Sequence, residues 1–107
     1  MTLFEEREQA YENQFVHEEG LKFKARSRRN KLLGLWAATE LGKTELFAED
    51  YAIEIVIAIV KYVDDDSIVD KIYKDFESAG VAKSRLQVRK KMDELFAQAS
   101  REIRDGV

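Results

Sequence analysis

The stretch that decides the fold is YAIEIVIAIVKYV, residues Tyr51 to Val63. Its β-branched residues favour a strand on propensity alone. Its apolar positions cover almost every face, so periodicity does not choose between strand and helix. Length does: thirteen residues is long for a strand, and no hairpin partner stands elsewhere in the chain. Read as a helix, it becomes the central and most buried element of an all-α protein.

The flanking segments follow suit. Upstream, KFKARSRRNKLLGLWAATELG places Leu32, Leu35 and Trp36 at helical spacing, with Leu33 beside them and Gly42 in the position of a C-terminal cap. Downstream, Asp64-Asp65-Asp66-Ser67 breaks the pattern and offers N-cap side chains. Ile68, Ile72 and Phe76, with Val69 and Tyr73, then describe a short amphipathic helix ended by Gly80. Ser84 with Gln87 is a capping box. It opens a last helix carrying Leu86, Val88, Met92, Leu95, Phe96 and Ile103, to about Arg104. Short connections between these four helices predict an antiparallel four-helix bundle over residues 20–107.

Residues 1–19 read differently. Thr2 and Glu5 form a capping box, so a helix can begin near Leu3. Phe4, Tyr11 and Phe15 lie on one narrow stripe, and the rest is charged and mostly acidic. A segment with helix propensity and so little to bury predicts a helical or partly disordered arm. Gly20 is expected to weaken or bend the helix after it.

Composition narrows the function. The chain has 107 residues, suited to one domain, and a net charge of −3. It has no cysteine, which excludes disulfides, thiolate catalysis and Cys-ligated metals. There is no basic start and apolar block of a signal peptide and no membrane-length apolar run, so a cytoplasmic location is expected. No paired nucleophile and base stand out, so no enzyme and no cofactor are expected. His17 is the only histidine. With a reference pKa near 6.5, it is the candidate pH-sensitive group.

Three stretches invite a sharper reading. Ala37 to Thr44, AATELGKT, ends like a Walker A motif but has Ala37 in place of the first glycine, and a helical pattern precedes it where a P-loop needs a strand. It reads as a glycine-capped helix stop. The acidic triplet at Asp64 fails the EF-hand pattern, because Val69 and Asp75 fall where glycine and glutamate are required. The basic run Lys22–Lys31 could touch nucleic acid, yet it adjoins an acidic block and holds only Phe23 as an aromatic. A small regulatory protein binding nucleic acid through Lys22–Lys31, or nucleotide through Gly42–Thr44, is the alternative reading. The arm, with aromatic anchors and orienting charges, has the features of a helix that docks in a partner's groove, and equally of one that packs back on its own bundle.

FEEREQAYENQFVHEE, LKFKARSRRNKLLGLWAATELG, ESAGV and RKKMDEL together resemble the alphaproteobacterial zeta-subunit family, inhibitors of the F-type ATP synthase. The similarity runs over nearly the whole chain. The resemblance implies a four-helix bundle with an N-terminal inhibitory segment, here about Thr2 to Glu19. It implies that this segment enters a catalytic αβ interface of the ATPase head near the γ shaft and blocks hydrolytic rotation. The partners would be the α, β and γ subunits, with no membrane or nucleic acid contacted, at a cytoplasmic site peripheral to the inner membrane. Carried onto this chain, Phe4, Tyr11 and Phe15 would be buried anchors, and Arg7 with Glu5, Glu6 and Glu8 would set register by ion pairs.

Overall fold

In the computed structural model the backbone is described for residues 3–61 and 64–106, and side chains for 18–58 and 64–106. Four helices follow one another: α1 (Leu3–Glu40), α2 (Glu45–Lys61), α3 (Asp65–Ala79) and α4 (Arg85–Arg104). They form a four-helix bundle in which α1 is the spine: α2 and α4 pack against it, and α3 packs against α4. No described helix is long and apolar enough to cross a membrane.

α1 is one helix of 38 residues, about 57 Å long at 1.5 Å per residue. It continues through Gly20, so the arm and the first bundle helix are a single element. Glutamate, lysine and arginine flank that glycine, and their helix propensity offsets the roughly 1 kcal/mol that one glycine costs. The molecule is accordingly elongated, 64 × 25 × 21 Å. The capping box expected at Thr2 lies outside the described residues.

The helix ends are built as the sequence predicts. At the end of α1 the Lys43 N–H donates to the Ala38 carbonyl at 2.8 Å and the Gly42 N–H to that of Thr39 at 3.0 Å. This paired pattern closes a Schellman motif around Gly42, whose φ of 78° a side chain tolerates poorly. Gly80 ends α3 the same way, with Val81 donating to Phe76 and Gly80 to Glu77. Asp64 caps α3 by accepting from the Ser67 N–H at 2.8 Å. Ser84 and Gln87 cap α4 reciprocally, at 3.1 and 2.8 Å.

The core is formed by Leu33, Ile55, Ile68, Ile72, Phe76, Val88 and Met92, all fully buried. Trp36 meets Phe76 edge to face, with ring centroids 5.6 Å apart, a favoured aromatic geometry. Two expectations are corrected here. α2 begins at Glu45, six residues before Tyr51, and among its described residues it is not buried on every face. Tyr51, Ala52, Ile55 and Ala58 are buried, while Leu46, Phe47, Ile53 and Ile57 are exposed. Only one of its faces meets α1, so apolar residues all round did not mean burial all round. Leu86 of α4 is likewise exposed, two residues before the buried Val88 and Met92 stripe begins.

The spacing between α1 and α2 is fixed by Gly34. A Cβ placed on it would stand 2.6 Å from the Ala52 Cα and 3.3 Å from the Cβ atoms of Ala52 and Ile55. The absence of a side chain lets the two backbones close together, as small residues do at tight helix crossings.

Candidate functional site

α1 carries every residue singled out for partner binding. Phe4, Glu5, Glu6, Arg7, Glu8, Tyr11 and Phe15 belong to its N-terminal half, as does His17. On that helix Phe4, Tyr11 and Phe15 share one stripe, spanning about 16 Å of axial rise. Their side chains, and that of His17, lie outside the described residues.

Glu18, Glu19 and Gly20 are exposed, and Lys22 pairs with Glu19 at 3.3 Å on the surface. Ala25 is the first buried residue of the described part of α1. Beside it an open groove of about 520 Å³ runs between α1 and α4, lined by Leu21, Ala25, Phe96 and Ile103 among others.

The arm's root is locked by a buried polar cluster that charge patterning alone does not reveal. Arg29 is 3% exposed. Its guanidinium is bidentate to Asp65 at the start of α3, at 2.9 and 3.1 Å. The same side chain donates twice to the Asn30 amide oxygen, at 3.0 and 2.8 Å. Asn30, fully buried, reaches the Ile55 carbonyl of α2 at 3.5 Å. Phe96 of α4 lies under the guanidinium, 5.8 Å from its ring centroid. Arg29 therefore ties α1 to α3 and α4, and Asn30 extends the cluster to α2, with a paired, hydrogen-bonded charge rather than an orphan one. Burial works to raise the Asp65 carboxyl. The Arg29 bonds and charge, with Arg26 and Arg89 nearby, outweigh it and hold the group below its usual range. Arg29 lies four residues from Ala25 and four from Leu33, on the buried face, but inside a basic run whose charges read as surface.

This cluster reinterprets two stretches. The run Lys22–Lys31 is not a uniform basic patch, since Arg29 is inside the bundle and Arg26 faces Asp65 at 3.5 Å. The triplet Asp64-Asp65-Asp66 divides its work: Asp64 caps α3, Asp65 binds Arg29, and Asp66 meets Arg89 at 3.2 Å. Ser67 holds the Asp64 carboxyl low through its backbone and side-chain hydrogen bonds. Among the described residues no cluster of three or more His, Cys, Asp or Glu could hold a metal.

A second polar group lies on the other flank. The Tyr51 hydroxyl donates to Asp75 at 2.8 Å, and Lys71 bridges Asp75 at 3.1 Å and Glu54 at 3.3 Å. Burial first, and then the Asp75 hydrogen bond, push the Tyr51 hydroxyl far up, so it stays protonated as the donor. Burial acts to lower Lys71, and its bonds and charge attraction to Asp75 and Glu54 raise it. The Walker-like stretch beside this group is the Schellman stop described above, preceded by a helix and with Ala37 buried in the core. It lacks the strand that a phosphate-binding loop requires.

A family model described as ATPase inhibitor subunit zeta matches residues 1–102. A solved protein described only as a solution NMR structure is 34% identical, superposes with a TM-score of 0.70, and covers 81% of this chain and 99% of its own. No curated protein matches.

Proposed function

The chain belongs to the ATPase inhibitor subunit zeta family, and from that premise we propose that it inhibits the F-type ATP synthase by inserting the N-terminal half of α1 into the catalytic head. The segment from about Thr2 to Glu19 enters a catalytic αβ interface near γ and blocks hydrolytic rotation as a steric wedge. It works as a regulatory protein, not as an enzyme, and needs no nucleotide or other cofactor of its own. Its place is the cytoplasmic side of the inner membrane, held peripherally through the synthase.

One observation supports this reading: the proposed segment and the first bundle helix are one continuous helix, α1, from Leu3 to Glu40. A helix with a few apolar anchors at helical spacing and charges around them is the element that helix-in-groove docking uses. Phe4, Tyr11 and Phe15 are its apolar anchors. Arg7, with Glu5, Glu6 and Glu8 around it, sets register by carboxylate pairing, for which a guanidinium suits better than an ammonium. The bundle, locked at Arg29, is the body that stops further entry.

The test is hydrolysis by the isolated catalytic head, with purified full-length protein titrated in. Inhibition that weakens on Phe4→Ala and on Arg7→Ala supports the wedge and its named contacts. Unchanged hydrolysis at micromolar excess of the full chain sinks the reading.

A further inference from the structure

α2 is used on one side only. Opposite its buried face, Leu46, Ile53 and Ile57 are 73%, 56% and 56% exposed. At 100° per residue these three fall within about 40° of one another, a single outward seam. Carboxylates border it on both edges: Glu49 on one side, Asp50 and Glu54 on the other, all exposed. The helix has no lysine or arginine before its last residue, Lys61, and of these three carboxylates Glu54 shares Lys71 of α3 at 3.3 Å.

We propose that this face of α2 is a second contact surface on the ATPase head, meeting an apolar ridge edged by lysine or arginine. This rests on the inhibitor reading above and extends it to the other end of the molecule. An apolar seam at helical spacing is the element that helix-in-groove docking uses. The acidic borders select the occupant. A second copy of the same seam would set Glu49, Asp50 and Glu54 against like charges, which opposes pairing. An anionic lipid surface is repelled for the same reason. A basic-edged apolar protein surface satisfies both seam and borders.

The geometry makes the second contact useful. α2 is seated on α1 through Gly34 and Asn30, so seam and arm are carried by one continuous helix. Once either contact forms, the other becomes intramolecular, and the pair binds more tightly than either alone. Loss of the seam then lowers affinity while the block at saturation stays complete, because the wedge itself is untouched.

The experiment titrates the isolated head with full-length protein, measuring hydrolysis and direct binding at two salt concentrations. Ile53→Lys with Ile57→Lys is expected to raise the half-inhibitory concentration at least about tenfold, with full inhibition still reached. Glu49→Gln with Asp50→Asn keeps the seam and fold, and is expected to weaken binding while flattening its salt dependence. Wild-type affinity in both variants, beside a wild type that inhibits, overturns the seam alone. Tighter binding by the charge variant overturns the basic edges. A wild-type dimer in sedimentation that Ile53→Lys with Ile57→Lys dissolves assigns the face to self-association and overturns the proposal. A wild type that does not inhibit overturns both this inference and the wedge.

Discussion

Gly34 and Ala52 set how closely the two helices of the bundle's longest contact approach: no side chain fits between them, since a Cβ on Gly34 would meet the Ala52 Cα at 2.6 Å. The obstacle is backbone, which cannot swing aside as a side-chain tip can. Gly34→Ala gains about 1 kcal/mol of helix propensity and loses more by forcing α1 and α2 apart, where overpacking costs roughly 1–3 kcal/mol. The expected outcome is a lower urea midpoint. A midpoint equal to or above wild type refutes the close crossing.

Gly20 is the control for that prediction. Nothing lies within 4 Å of a Cβ built there. Gly20→Ala is expected to stabilise α1 by about 0.5–1 kcal/mol, read as increased helicity in circular dichroism. Gly20→Pro removes a helical donor and costs about 3 kcal/mol locally, so it is expected to weaken inhibition while leaving the thermal melt of the bundle in place.

Asp65→Asn strips the buried Arg29 of its counter-charge. An uncompensated buried charge costs about 3 kcal/mol or more, lessened here because Asp65 keeps 29% of its side chain in water and Asn30 still accepts from the guanidinium. Chemical denaturation is expected to show a loss on the order of 2 kcal/mol. Arg29→Met, which fills the space without a charge, is expected to cost less than Arg29→Ala. Equal losses would mean that the ion pair and its hydrogen bonds, not the filled volume, are what the site supplies.

The same pair predicts an acid limb. The Arg29 guanidinium, outweighing burial, holds the Asp65 carboxyl below the usual carboxylate range. Its stabilisation is therefore complete above the unfolded value near 4 and is lost as pH falls through the folded one. Stability measured from pH 6 downward is expected to decline below about pH 4, and Asp65→Asn to decline less steeply. Parallel curves for the two proteins would show that other carboxylates govern the acid limb.

Gly42→Ala keeps the space but not the backbone: φ is 78° and no atom lies within 4 Å. A left-handed residue with a Cβ costs roughly 1 kcal/mol, so a melting temperature a few degrees lower is expected. A larger loss accompanied by lost ADP or ATP binding, measured by calorimetry, would instead revive the nucleotide reading of Gly42 to Thr44.

Helix ends were the most legible part of the sequence, because each is a local device. Gly42, Asp64, Gly80 and the Ser84–Gln87 pair act within three or four residues of themselves, and the structure uses every one. Burial was less legible, because it depends on what comes from elsewhere. Leu33 is fully buried while its neighbours Leu32, Leu35 and Trp36 are only partly so, since α1 lies against α2 on one side and α4 on another. Arg29 was hidden by its company: among five other basic residues it reads as surface, until Asp65 arrives from 36 positions away. Gly34, inside an apolar helical block, did carry a cue, for an interior glycine costs helix stability and so tends to mark a close contact. Phe4, Tyr11 and Phe15, proposed above as the wedge's anchors, are legible only as a stripe on α1.

The unbroken run of α1 has a kinetic meaning as well. Starting a helix from coil is the costly event, with a nucleation parameter of about 10⁻³, whereas lengthening an existing one adds a hydrogen bond for each residue fixed. The turns around Ala25 to Glu40 are held by tertiary packing and serve as a permanent seed. Any turn that opens toward Leu3 recloses onto that seed by propagation alone, a step of nanoseconds per residue. A partner that captures the tip therefore meets a chain already primed to zip, one turn at a time, from the bundle outward.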